Sequence, residues 1–258
     1  MDSVARDYIY RRFPSASDTE KDKIVVDWMN KVEAAKKIAV DFSERIGTAR
    51  GKKILDAGCG NGGLSIALAL SGAEPVGLEV EKELYEISKK HADAYGVDIR
   101  PVLYGGEIMP FGDNHFDAAL SSSVLEHVSD PGLYLKEILR VVRPGGELYL
   151  AFPNKLWPKE THTSIWFLTY LPRFIQPLLL GMFRRGSLED YHLHFYSYSD
   201  LQKLLSAVAY GKYSWKIIPE SGKSLSGAKF IVKKILGLLG IPYKTFLSHI
   251  SVILKKVG

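Results

Sequence analysis

One heptapeptide, Asp56-Ala57-Gly58-Cys59-Gly60-Asn61-Gly62, carries the first chemical signal in this chain of 258 residues. It directly follows the apolar run Lys53-Ile54-Leu55 and opens a helix-like segment, Leu64 to Leu70. Gly58 and Gly60 have no Cβ, so the backbone there can turn sharply and come close to a ligand. A strand, a glycine turn and a helix in that order build a nucleotide pocket at the end of a parallel sheet. The spacing is GxGxG, not the GxGxxG of dinucleotide enzymes, and the loop opens on an acid where a phosphate-cradling lysine would otherwise stand. Glu79 ends the next apolar run, Pro75-Val76-Gly77-Leu78, about where a carboxylate meets a pair of ribose hydroxyls. These residues point to a nucleoside without phosphates.

Strands and helices must alternate around that loop to position it. Strand-like segments fall at 52–57, 74–80, 98–103, 115–121 and 146–152, with helices near 62–71, 81–95 and 131–142. That alternation predicts a parallel sheet with crossovers. Right-handed crossovers bring the ends of the strands, and the loops that follow them, to one edge. Residues 18–46 read as one long helix, with Ile24, Val25, Trp28, Val32, Ala35, Ile38, Ala39 and Phe42 at helical spacing. Tyr213–Ile218 and His249–Leu254 read as two closing antiparallel strands, with a basic amphipathic helix over 229–239 between them. The expected domains are capping helices over 1–50 and a catalytic domain over 51–258.

Residues 154–190 interrupt the alternation with an apolar, aromatic insertion, Thr163–Leu171 and Phe174–Phe183. Pro172, Arg173, Gln176 and Pro177 break it, which argues against a membrane-spanning helix. Three readings stand: a helical lid over an apolar acceptor, a helix pair lying on a bilayer surface through 163–183, and an ordinary subdomain core or dimer contact. A single cysteine, Cys59, excludes an internal disulfide and fits a reducing cytoplasm. The polar N-terminal residues carry no signal-peptide pattern. Residues 155–258 hold fifteen Lys and Arg against five Asp and Glu. Such a basic half suits an anionic surface or substrate, or simply solvated helix faces.

Three further segments extend the pattern: Met109-Pro110-Phe111-Gly112-Asp113-Asn114-His115-Phe116-Asp117, Ser123-Val124-Leu125-Glu126-His127-Val128-Ser129-Asp130-Pro131 and Val141-Val142-Arg143-Pro144-Gly145-Gly146. With the glycine loop, they resemble in order and separation the class I S-adenosylmethionine-dependent methyltransferases, over roughly residues 50–153. The likeness is to the type 11 and ubiquinone-biosynthesis branch. His194–Leu201 is similar to that family's entry to its penultimate crossover. The resemblance implies a doubly wound, seven-stranded, mostly parallel Rossmann-like α/β sheet, with N-terminal capping helices and a helical insertion after strand five. It implies S-adenosylmethionine as cofactor and S-adenosylhomocysteine as product.

By that resemblance, Glu79, followed by Val80, binds the ribose hydroxyls. Gly58 and Gly60, with Ala57, Cys59 and Gly62, form the loop under the methionine portion, Asp56 orients that loop or meets the amino group through water, and Ser122, just after strand four, completes the cofactor site. Gly106, Glu107 and Ile108 flank the adenine. The chain departs from the family there, because Gly105-Gly106 replaces the usual Asp-Ala. His127 is the candidate base, with a structural histidine packed over the cofactor as the alternative, and Glu126 orients its loop. In the ubiquinone-type enzymes a Glu-Glu-His group can bind a divalent metal. Ser123 stands where the first carboxylate would be, so the expectation is no metal. Cys59 reads as a small buried residue, not a nucleophile.

Methyl transfer to a small, hydrophobic acceptor, favoured at oxygen, is the function expected. A glycan precursor, another polar metabolite or RNA is the alternative acceptor, and a non-catalytic cofactor-binding module the alternative class. Basic residues set among aliphatics, with no aromatic stacking platform, argue against nucleic acid. The expected setting is cytoplasmic or peripheral at a membrane, as a monomer or homodimer.

Overall fold

The computed structural model describes residues 2–14, 16–183, 193–209, 213–217 and 247–257. Its frame is a sheet of strands β1 (Lys53–Ala57), β2 (Glu74–Glu79), β3 (Val102–Leu103), β4 (Phe116–Ser122), β5 (Val142–Pro153), β6 (Tyr213–Ile217) and β7 (His249–Lys256). The spatial order is β3-β2-β1-β4-β5-β7-β6. β1 to β5 run parallel, whereas β7 lies antiparallel to β5 and β6 antiparallel to β7. This is the Rossmann-like, mostly parallel arrangement expected. The central strands are buried on both faces, as near-continuous apolar runs demand: Ile54, Leu55, Leu78, Ala119, Leu120 and Leu150 are fully buried.

Helices α4 (Gly63–Leu70), α5 (Lys82–Tyr95) and α6 (Pro131–Val141) form the crossovers. α6 starts sharply because Pro131 sits at its first position and the Asp130 side chain accepts the Leu133 amide at 2.9 Å. β3 is shorter than the predicted 98–103. Arg100 adopts a left-handed φ of +42° and Pro101 has no N–H for the ladder, so pairing begins only at Val102.

The long N-terminal helix expected over 18–46 is two: α2 (Asp18–Met29) and α3 (Lys31–Arg45), preceded by α1 (Asp2–Arg12). Ser17 and Glu20 form a capping box at the start of α2. The break falls at Asn30, a residue whose side chain competes with helical bonding. It frees the Trp28 carbonyl, which accepts from the Asn61 side-chain amide at 2.8 Å. The break thereby ties the helical cap to the glycine loop. Tyr8 of α1 stacks on Trp28 at 5.3 Å, and its hydroxyl donates to Glu81.

The insertion after β5 is less helical than expected. Described through residue 183, it holds one 3₁₀ turn (Leu168–Tyr170) and a seven-residue helix, α7 (Gln176–Met182). Positive φ at Ser164 and Phe167, with Pro172 and Pro177, stops any longer run. Trp166, Phe167, Phe174, Leu178 and Met182 are exposed on it. Helix α8 (Tyr198–Ala209) then returns to the sheet. The basic helix expected at 229–239 and Arg184 and Arg185 lie outside the described residues. Among the described residues, no helix is long and apolar enough to cross a membrane.

Candidate active site

The loops after β1, β2, β3 and β4 open on one edge of the sheet, where they and α1–α3 enclose a cavity of about 870 Å³. Gly58, Gly60 and Gly62 all take left-handed φ, +81°, +55° and +81°. The Gly58 and Cys59 amides both donate to the Leu78 carbonyl, at 2.8 and 3.0 Å, which folds the loop back across β2. A Cβ on Gly58 would lie 2.4 Å from a Val124 methyl, so the loop after β4 packs directly against this glycine. At Gly60 nothing lies within 4 Å of such a Cβ, and the residue lines the cavity. Bare backbone there faces the space a ligand would fill.

Two acids line the same cavity. Glu79, buried at the end of β2, accepts the Gly60 amide on one carboxylate oxygen at 2.9 Å. Its other oxygen accepts the amides of Val80 and Glu81, at 2.8 and 3.0 Å. A carboxylate has about four acceptor sites, so capacity remains for a ligand hydroxyl. Asp56 accepts the Ser65 hydroxyl at 2.6 Å. Burial pushes its carboxyl up to about 6, against the Ser65 hydrogen bonds and with the nearby Glu79 charge. The partners of both acids are uncharged amides and a hydroxyl. A cationic ligand with a vicinal diol fits this donor set, and S-adenosylmethionine is such a ligand.

The second group of polar side chains forms a compact cluster. Glu126 and His127 sit in a 3₁₀ turn, Leu125–His127, just after β4. The Glu126 carbonyl accepts the His194 amide at 2.7 Å, while its carboxylate is buried with both oxygens lacking a hydrogen-bond partner. Burial pushes that carboxyl up to about 7, with its own backbone amide and the nearby His162 opposing. His127 Nε2 lies 4.0 Å from Glu126 Oε1, and His162 Nε2 lies 3.8 Å from the same oxygen. The two imidazoles meet edge to face at 5.4 Å. Behind them Glu160 accepts from His162 Nδ1 at 3.0 Å and from the His162 backbone amide. Burial would raise the Glu160 carboxyl, but those bonds and the imidazole charge hold it down to about 2. Glu160 holds the N–H of His162 on Nδ1, and in the neutral imidazole the Nε2 lone pair then faces Glu126.

Of the residues expected in the cofactor site, Asp56, Gly58, Cys59, Gly60, Glu79, Val80, Gly106 and Ser122 line the cavity. Ala57 and Gly62 stand behind the loop, and Ala57 is fully buried. Glu107 and Ile108 are exposed and are not among the residues that line the cavity. The reason is local: Gly106 takes a φ of +91°, and the chain turns outward after it. Tyr104 and Gly105 line the wall instead. Cys59 is buried, its thiol pushed up by burial, which agrees with its inert reading. Tyr191 and His192 lie outside the described residues.

Sequence reasoning missed His162, Glu160 and Asn61. Asn61 lies inside the glycine heptapeptide and holds it from both sides, donating to Trp28 and accepting the Gly63 amide. Its small amide between two glycines was the available signal. Tyr134 was missed too; its buried hydroxyl bonds Ser121 and donates to the Ala57 carbonyl, pinning α6 beneath the loop.

Comparison with known proteins places these features. Residues 55–150 match a family model described as a methyltransferase domain. The ubiquinone biosynthesis O-methyltransferase of Escherichia fergusonii is 31% identical over 166 residues, 59% of this chain and 68% of that protein. The solved structure of the YcgJ protein from Bacillus subtilis superposes with a TM-score of 0.57 at 19% identity, covering 88% of this chain and 100% of that one. A putative S-adenosyl-L-methionine-dependent methyltransferase from Methanococcus maripaludis superposes with a TM-score of 0.53 at 19% identity, over 89% of this chain and 86% of its own.

Proposed function

The chain belongs to the class I S-adenosylmethionine-dependent methyltransferases, and from that premise we propose that it methylates an oxygen of a small, hydrophobic acceptor. The observation that carries this reading is that His127 and His162 line the same cavity as Glu79 and the glycine loop. When bound, the cofactor supplies a methyl group already activated on a sulfonium. The protein has to position the acceptor in line and accept a proton if a hydroxyl is the nucleophile. Glu79 holds the ribose hydroxyls, Asp56 and the bare backbone at Gly60 face the methionine portion, and Gly106 lies against the adenine. With no cation at these nitrogens, His127 and His162 stand as bases for the acceptor proton, His162 being the better oriented because Glu160 fixes its tautomer. Glu126 beneath them favours an imidazolium once the proton has arrived.

Ile9, Phe13, Ile24, Trp28 and Ile38 on the capping helices give the cavity an apolar roof, which supports a hydrophobic acceptor. The exposed Trp166, Phe174 and Leu178 of the insertion support peripheral contact of 163–183 with a bilayer from which such an acceptor is taken. The insertion then serves as a lid, on a cytoplasmic monomer or homodimer.

A panel of alkylated phenols against polar hydroxylated metabolites, with S-adenosylhomocysteine release as readout, tests the reading. The phenols should turn over, and His162→Ala should cut kcat by about 10²–10⁴ with cofactor affinity unchanged. Cofactor binding without methylation of any apolar hydroxyl would refute the acceptor assignment.

A further inference from the structure

We propose that Glu126, His127 and His162 form a three-ligand site for a divalent cation of the zinc class, with its remaining position open to the cavity. The three donor atoms lie within 4.8 Å of one another. Glu126 is the observation that calls for an occupant. Its side chain is 3% exposed, and both of its carboxylate oxygens are buried without a hydrogen-bond partner. A buried acceptor of this kind is costly to leave unfilled. Two imidazole Nε2 atoms at 3.8 and 4.0 Å face the same oxygen. Metal–ligand bonds of about 2.0–2.1 Å in a tetrahedral site set donors roughly 3.4 Å apart. Each side chain therefore has to move inward by only about half an ångström.

The outer contacts fit as well. Metal-bound histidines characteristically give their other ring N–H to a carboxylate, which fixes the ring and its tautomer. Glu160 does this for His162, and it is itself held by the Thr163 hydroxyl at 2.7 Å and by backbone amides. Glu160 is thus a positioning residue, not a ligand. The donor set decides the class of cation. Two nitrogens and one oxygen suit zinc, cobalt or nickel, whereas magnesium keeps oxygen ligands and water.

Ser123 supplies no carboxylate, being exposed at a φ of +57°. The expectation of no metal rested on that missing ligand. His162 arrives instead from the insertion, 35 positions beyond His127 in the sequence. Both histidines line the cavity and Glu126 lies behind them. A cation held there faces whatever occupies the acceptor space, and the ligand class it adds is an oxygen donor with an ionisable hydroxyl. Cation binding stands on the geometry alone; its part in catalysis rests on the methyltransferase reading.

The test is competitive titration of chelator-stripped protein with Zn²⁺, and with Co²⁺ for its visible absorption. One equivalent should bind to the wild type, in preference to Mg²⁺. Glu126→Gln and His162→Ala should each weaken binding at least about tenfold, and Glu160→Gln about ten- to a hundredfold while keeping every ligand. Thermal unfolding of each variant checks that it is folded. No uptake by the wild type, uptake unchanged in the first two variants, or a preference for Mg²⁺ would overturn the assignment. Calorimetry of the wild type with S-adenosylmethionine runs alongside. Its failure would sink the methyltransferase reading and leave the cation result standing.

Discussion

Replacing Gly58 with alanine tests whether the glycine loop and the Glu126-His127 loop are one interlocked unit. The new Cβ would lie 2.4 and 2.6 Å from the two Val124 methyls and 3.1 Å from the Val124 Cβ. The φ of +81° adds a second cost, independent of the space. A left-handed conformation costs a non-glycine residue about 1–2 kcal/mol. Overpacking a fitted contact costs about 1–3 kcal/mol. Gly58→Ala should therefore destabilise by about 2–5 kcal/mol and weaken cofactor binding. Val124→Ala removes both offending methyls and leaves only the 3.1 Å contact. On its own it should cost about 1 kcal/mol, from two partly buried methyls. In the double variant the overpacking should vanish while the dihedral cost stays. Urea unfolding of the four proteins measures the cycle, and the coupling should favour the double variant by about 1–3 kcal/mol. A coupling under about 0.5 kcal/mol would refute the interlock, because the two loops would then be responding separately.

Three other outcomes are expected. Glu79→Ala strips the acceptor from the Gly60, Val80 and Glu81 amides. It should cost about 2–4 kcal/mol of stability as well as cofactor affinity by calorimetry, and an effect on affinity alone would contradict the pinning role. Asp56 bears on pH. Its folded value of about 6 lies above the ordinary 3.8, so the folded state favours the protonated acid. Its burial is therefore most costly above pH 6, and stability is regained as the pH falls from about 6 towards 4. The stability of Asp56→Asn relative to wild type should then drop by up to about 3 kcal/mol between pH 7.5 and 4; a pH-independent difference would argue against a charged, buried Asp56. Asn61→Ala should detach the cap from the loop, at a cost of about 1–3 kcal/mol. Hydrogen exchange should quicken in residues 18–45 before it changes in the sheet, and uniform quickening would count against a local link.

The sheet and the donor side were legible because their signals are local. Apolar runs mark β1, β2, β4 and β5, and the glycine spacing marks a loop whose conformation depends on missing Cβ atoms. Glu79 followed from its place at the end of one such run. What escaped was set by distant partners. His162 belongs to the site only because Glu160 bonds it, in a loop with no periodicity to read. The break at Asn30 was hidden within a continuous apolar stripe, and it is Asn61, thirty-one positions further on, that takes up the freed carbonyl. Helix α1 has little apolar periodicity of its own and holds its place through Ile9 packed near Ile87, Tyr8 on Trp28 and Arg11 on Glu83. The left-handed turn at Gly106, after which Glu107 and Ile108 are exposed, has no signal in sequence adjacency.

The roof made by α1–α3 has a consequence for how long the protein survives. Within it α3 is packed into the core, whereas α1 and α2 reach the rest of the molecule through one small apolar cluster around Tyr8, Ile9 and Ile87 and a few polar ties, Tyr8 to Glu81, Arg11 to Glu83 and Trp28 to Asn61. A unit attached in this way opens at a lower free energy than the sheet beneath it. A donor bound in the cavity that the roof and the glycine loop line together would stabilise the closed roof. Cofactor at a hundred times its dissociation constant would add about 2.7 kcal/mol to closure. The opened population falls about a hundredfold, and cleavage by proteases that need the open form falls with it. A cell short of methyl donor would thus shed this enzyme faster than one well supplied, with no regulator beyond the pocket itself.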